Sequence, residues 1–229
     1  MLSFFRPAPA APPLPPDRVE AEYRRLRWQV FTGIFVGYAG FYLVRNNISL
    51  ATPEILKAHP EYSKAQLGSA MTGLLTAYGL SKFFMGSVSD RSNPRGFMAT
   101  GLLLSAAITL AFGTVPALYG SLALIVALQA LNGWCNGMGW PPCGKTMVHW
   151  WSTRERGRIV SYWNVAHNVG NGTAAPLALL GVALLGTWTA KFTFNALVAA
   201  AIAIVIWFLL RDTPQSCGLP PVEEYKNDY

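Results

Sequence analysis

A chain of 229 residues that is 52% hydrophobic and only 13% charged, with a formal net charge of +7, falls well below the roughly 25% charged residues of an ordinary soluble domain. That balance, with several apolar runs near the ~20 residues a helix needs to cross hydrocarbon, points to an all-α membrane protein and away from a soluble enzyme. Nor does the positive charge mark a nucleic-acid surface, because the basic residues flank the apolar runs instead of covering one soluble face.

In chain order, residues 1–27 are rich in proline and arginine and lack a short apolar h-region with a small-residue cleavage site. They read as an amino-terminal tail, mobile at least up to Pro16. Six membrane spans follow within residues 28–210, at 28–51, 67–87, 97–115, 121–146, 159–185 and 192–210. Ser63-Lys64-Ala65-Gln66 reads as a capping box opening the second span, and Ser152-Thr153-Arg154-Glu155 as another before the fifth. Residues 211–229 are acidic and proline-containing and read as the opening of a longer loop.

The basic residues orient the spans. Twelve of the eighteen fall on the side of the chain ends, from Arg6 and Arg18 through Arg91, Arg95, Arg154 and Arg158 to Arg211 and Lys226, against Lys57, Lys64 and Lys191 on the other. The positive-inside rule then places both ends in the cytoplasm. The remaining three, Arg45, Lys82 and Lys145, lie inside spans, where a charge is expensive and marks function by default.

Residues three, four and seven apart share a helical face, so Tyr38, Tyr42, Arg45 and Ser49 form one polar stripe down the first span. Guanidinium supplies forked donors that fit phosphate or carboxylate, and the stripe suits an oxyanion. The alternative is an Arg45 that snorkels outward or pairs with a carbonyl at a helix break. In the fifth span Asn164, His167 and Asn171 repeat the spacing with Asn168 beside them, either lining a polar cavity with a titratable anion contact or packing a structural histidine. Tyr78 and Lys82 share a face of the second span, although Lys82 sits near its end, where snorkelling is cheap.

In the fourth span Gly133 and Gly137 make a small-xxx-small face and Pro141 and Pro142 interrupt the helix, which serves either a tilting helix or static packing. Cys135, Cys143 and Cys217 have no metal-ligand spacing and read as packing residues, so neither a metal nor another cofactor is expected. No nucleophile–base pair is evident, and no catalytic residue is assigned.

Gly86-Ser87-Val88-Ser89-Asp90-Arg91 resembles the G-x-x-x-D-R loop signature of the major facilitator superfamily. Within it, residues 81–95, 137–152, 166–170 and 211–229 look like the organophosphate:phosphate antiporters. The resemblance implies a six-helix amino-terminal half of a twelve-helix fold in the bacterial inner membrane, its substrate site facing a carboxy-terminal half. It also implies uptake of an organic phosphate, glycerol 3-phosphate, against inorganic phosphate, with hexose phosphate or phosphoglycerate, or sugar-phosphate sensing without transport, as alternatives. Arg45 then matches the phosphate-binding arginine, Tyr38, Tyr42 and Tyr78 pocket tyrosines, Lys82 a pore-facing lysine and His167 a histidine near the phosphate. Where the family reads Arg-Lys-Asn, this chain reads Arg45-Asn46-Asn47, one positive charge fewer beside the site.

Overall fold

The computed structural model describes residues 5–228, in which nine α-helices and two short 3-10 turns carry the regular structure. In order they are α1 (Pro16–Leu43), α2 (Asn47–Ala58), α3 (Lys64–Asp90), α4 (Pro94–Thr114), α5 (Leu122–Asn136), α6 (Trp140–Trp150), α7 (Thr153–Leu185), α8 (Ala190–Leu209) and α9 (Val222–Lys226). α3 packs on α5, α4 on α8, and α1 on both α7 and α8. Among the described residues only α4, α7 and α8 are long enough and hold an apolar stretch long enough to cross a membrane by length and composition. The other three expected spans differ for physical reasons: the first is broken into α1 and α2, the fourth into α5 and α6, and α3 is long but carries Tyr78, Lys82 and many small polar residues.

The second break has a local cause, and the first is held from a distance. Gly137 and Gly139 flank the second break, and Pro141 and Pro142 fall in the first turn of α6, where the missing N–H removes no helical hydrogen bond. Gly139 is required by proximity, because a Cβ there would lie 2.8 Å from the Phe41 ring of α1. The first break, at residues 44–46, frees carbonyls at the end of α1, and an unpaired carbonyl inside a membrane costs several kcal/mol. Side chains from three other helices satisfy them: Asn132 Nδ2 donates to the Val44 carbonyl (2.9 Å), Thr109 Oγ1 donates to the same oxygen (3.3 Å), and Asn195 Nδ2 donates to the Leu43 carbonyl (3.2 Å).

These donors belong to a polar layer sandwiched between two apolar clusters. One cluster holds Phe41, Val44, Leu102, Cys143, Met147 and Ala199, and the other Ile48, Ile55, Phe112, Ile125 and Phe192. Along every helix that joins them the polar residues fall in between: Arg45 and Asn47, Ser105 and Thr109, Gln129, Asn132 and Asn136, and Asn195, all buried. Asn136 Nδ2 donates to Ser105 Oγ (2.8 Å) and to Asn132 Oδ1 (3.0 Å), while the Ser105 hydroxyl donates to Asn132 Oδ1.

The amino-terminal segment departs from the expected mobile tail. Residues 5–15 lie along the segment after α8, with Ala8 N–H donating to Asp212 Oδ2 (2.8 Å), Ala11 N–H to the Gln215 carbonyl (2.9 Å) and Leu14 N–H to the Gly218 carbonyl (2.8 Å). Lys145 finds its explanation here, donating to the Ser92 carbonyl at 2.7 Å and standing 3.4 Å from Asp212 Oδ1. Helix α1 begins at Pro16, well before the expected start at 28, so part of the expected tail is helix, and its Tyr23 and Leu26 are buried in the apolar cluster of the bundle.

Of the two expected capping boxes, the one at Ser63 forms, with both reciprocal bonds to Gln66. Ser152 does sit at the N-cap of α7 but makes no side-chain cap hydrogen bond. Instead the Ser152 hydroxyl stands 3.5 Å from Glu155 Oε2 as a donor, and that carboxylate also pairs with Arg27 and, at 3.8 Å, Lys226.

Candidate functional site

The break in the first span determines what Arg45 can reach. Freed from the helical register, its side chain is 6% exposed and its Nε donates to Asn136 Oδ1 at 3.1 Å. Its Cζ lies 4.0 Å from the ring centroid of Tyr42 and 4.3 Å from that of Tyr78, so two phenol faces hold the guanidinium. Each such contact is worth about 0.5–2 kcal/mol depending on desolvation. Nη2 is buried without a hydrogen-bond partner. Among the described residues no carboxylate pairs with Arg45 or Lys82. A buried cation held by π faces and an amide, with a donor to spare, is arranged to take an anion, since charge-assisted bonds to oxyanions are the strongest such donors make.

The neighbours extend the arrangement. Lys82 Nζ lies 4.6 Å from the Tyr78 ring and 5.8 Å from Trp140. The hydroxyls of Tyr38 and Tyr42 are 3.4 Å apart, and Tyr38 packs on Trp163 at 4.6 Å between centroids. The Tyr42 ring is 6.0 Å from that of His167, which is half-buried on α7. Tyr38, Tyr42, Arg45, Tyr78, Lys82 and His167 therefore form one continuous cluster across α1, α3 and α7.

Other expected members lie outside it. Ser49 is exposed on α2, because the stripe presumed an unbroken helix and the break at 44–46 rotates everything after it. Asn164, Asn168 and Asn171 line an exposed polar face of α7, and Asn171 Oδ1 accepts from Asn46 Nδ2 at 3.2 Å. Gly86, Asp90 and Arg91 close the far end of α3. Asp90 lies twelve residues from Tyr78, about 18 Å along the helix, and both loop charges are exposed. Asn136, Trp140 and Trp163 went unassigned in the sequence reading. The signal for the first was available: Asn132 and Asn136 stand four apart in an apolar span, the spacing that puts two amides on one buried face. Among the described residues no group of three His, Cys, Asp or Glu is placed to hold a metal.

Residues 34–227 match the Major Facilitator Superfamily profile. The chain belongs to that superfamily. Its fold is one six-span half, and a bacterial homologue of the human lysosomal transporter Spinster, solved inward-facing and unoccupied, superposes with a TM-score of 0.70 at 16% identity over 83% of this chain and 44% of that one. Superfamily relatives are more alike in sequence. Glycerol-3-phosphate transporters of Bacillus subtilis and Haemophilus influenzae are 52% and 47% identical over the whole chain, and the membrane sensor protein UhpC of Salmonella typhimurium is 40% identical over the same extent. In each case the chain spans about half the length of the curated relative it matches.

Proposed function

We propose that this bundle is the amino-terminal half of a glycerol-3-phosphate:phosphate antiporter of the bacterial inner membrane, with both ends of the described bundle in the cytoplasm. The observation that carries the reading is Arg45, a buried guanidinium without a counter-carboxylate, clasped by Tyr42 and Tyr78 and keeping one nitrogen unpartnered. A phosphate dianion supplies the missing charge. Tyr38, Lys82 and His167 stand around it as further donors, and the substrate completes a cationic cleft that is costly to close while empty. Closing that cleft against a second bundle, loaded from either side, yields exchange by alternating access.

The test is counterflow of labelled phosphate in liposomes holding the chain with a co-expressed carboxy-terminal bundle. Arg45→Lys keeps the charge but loses the planar fork and its stacking. Loss of one charge-assisted bond, about 1.5–3 kcal/mol, weakens phosphate recognition by roughly 10- to 150-fold. Normal affinity and exchange in a folded Arg45→Lys protein refutes the assignment. Binding of sugar phosphate without any counterflow in the unmodified protein favours the sensor alternative, in line with the sensor relative.

A further inference from the structure

A second cationic site lies at the other end of α1. Between the stretch of α1 from Glu20 to Phe31, the first turns of α7 and the short α9, at the end of the bundle where the two described chain ends meet, a cavity of ≈ 290 Å³ opens outward. Its floor is neutralised: Arg27 donates to the Trp150 carbonyl (2.9 Å) and pairs with Glu155. Its rim is not. Arg24 and Arg158 both line the cavity and are exposed, and among the described residues neither has an ion-pair partner. Lys226 adds a third cation and Glu20 one carboxylate, so the lining carries a surplus of positive charge.

The remaining wall is aromatic. Trp28 is 69% exposed and meets Phe31 edge-on at 5.9 Å, and Trp151 lies under the Arg27 guanidinium at 5.5 Å. The position on α1 fixes the depth: after Arg24, Arg25 and Arg27 the helix carries no charge from Trp28 to Val44, so the cavity straddles the boundary between headgroup and hydrocarbon, where tryptophan is favoured. Arg45 lies eighteen residues beyond Arg27, about 27 Å along the helix, which separates this cavity from the anion cluster.

We propose that the cavity binds the phosphodiester headgroup of an anionic phospholipid, with Arg24 and Arg158 on the phosphate and an acyl chain laid against Trp28 and Phe31. An unpaired cationic rim alone would serve any phosphate, but an exposed apolar wall at that depth serves only a ligand with a tail. Such a lipid bridges α1 and α7, the two helices that carry Tyr42 and His167.

The test is native mass spectrometry of the detergent-solubilised chain titrated with phosphatidylglycerol, phosphatidylcholine or inorganic phosphate. Phosphatidylcholine carries the same phosphodiester but its choline cation cancels the net charge, so two basic residues facing a net anionic headgroup correspond to a preference for phosphatidylglycerol of about 30-fold. That preference falls to near unity in the Arg24→Gln/Arg158→Gln double variant and persists in Arg24→Lys/Arg158→Lys and in an Arg18→Gln/Arg25→Gln control on the same helix. Equal binding of the two lipids by the unmodified chain overturns the proposal. So does a preference that the glutamine double variant retains, or displacement of the lipid by inorganic phosphate at millimolar concentration, which would assign the rim to a free anion.

Discussion

Replacing Gly133 by alanine tests how the anion cluster is held together. A Cβ at that position would fall on the Leu74 carbonyl oxygen of α3, 2.9 Å from its carbonyl carbon and 3.0 Å from its Cα. All three atoms are backbone, so no side chain can rotate aside and the helices must part. Restoring ordinary carbon contacts of about 3.4 Å or more takes at least half an ångström at the carbons and more at the oxygen, and overpacking of this kind costs about 1–3 kcal/mol. The displacement is functional as well as structural. Tyr78 stands one turn beyond Leu74 on α3 and Asn136 one turn beyond Gly133 on α5, so the same separation pulls apart two of the groups that hold Arg45. Thermal unfolding in detergent should show a Tm lowered by roughly 2–12 °C, with weakened phosphate binding. Gly68, also on α3, is the internal control: nothing lies within 4 Å of its Cβ position, so Gly68→Ala should be neutral or stabilising by up to about 1 kcal/mol through helix propensity. Equal Tm values for Gly133→Ala and the unmodified chain would refute the argument.

Asn195→Ala removes the amide that donates to the Leu43 carbonyl, to Asn47 Oδ1 and to the Ala174 carbonyl. Leaving buried acceptors unpaired costs about 1–3 kcal/mol, seen as a lower Tm and faster hydrogen exchange around residues 44–47. His167→Ala removes the imidazole that stands 6.0 Å from the Tyr42 ring; phosphate affinity measured at one fixed pH should fall, and unchanged affinity removes His167 from the anion contacts. Burial pushes the Cys217 thiol above its ordinary value, against the Ser216 hydrogen bond and the nearby Arg211 charge. A raised thiol holds less thiolate at a given pH, so maleimide labelling of Cys217 near pH 8 should run slower in the folded chain than after unfolding, and its rate–pH profile should lie at higher pH.

What could be read from the chain alone follows from which forces act locally. Apolar run length is a one-dimensional property, and the six expected spans were read from it, whereas their being one half of a larger fold came from the motif resemblance. The Ser63 capping box formed with all its partners within four residues, whereas at Ser152 the hydroxyl faces the Glu155 carboxylate, which is also held by Arg27 of α1 and Lys226 of α9, partners no window around residue 152 contains. Tyr38 and Tyr42 come together as helical spacing requires, Arg45 reaches Tyr42 from within the break, and Ser49 joins neither, because spacing assumes a helix that continues. The break itself is stabilised by Asn132, Thr109 and Asn195, residues 65 to 152 positions away in the chain, so neither it nor the role of Asn136 is visible in the periodicity of the first span. Gly133 and Gly137 of the fourth span pack closely against Leu74 and Ser81, and Ser81 Oγ donates to the Trp134 carbonyl at 2.6 Å.

The docking of residues 5–15 onto the segment after α8 has a consequence for biosynthesis. The strap is made before its receptor, the carbonyls of Gln215 and Gly218 and the carboxylate of Asp212, with 204 residues separating Ala8 from Asp212. At about 5–20 residues per second on the ribosome, the strap waits on the order of 10–40 s for its partner while the intervening spans enter the membrane. Protection of the Ala8, Ala11 and Leu14 amides therefore works as a timer, reporting that α8 has left the exit tunnel and that the bundle is closed.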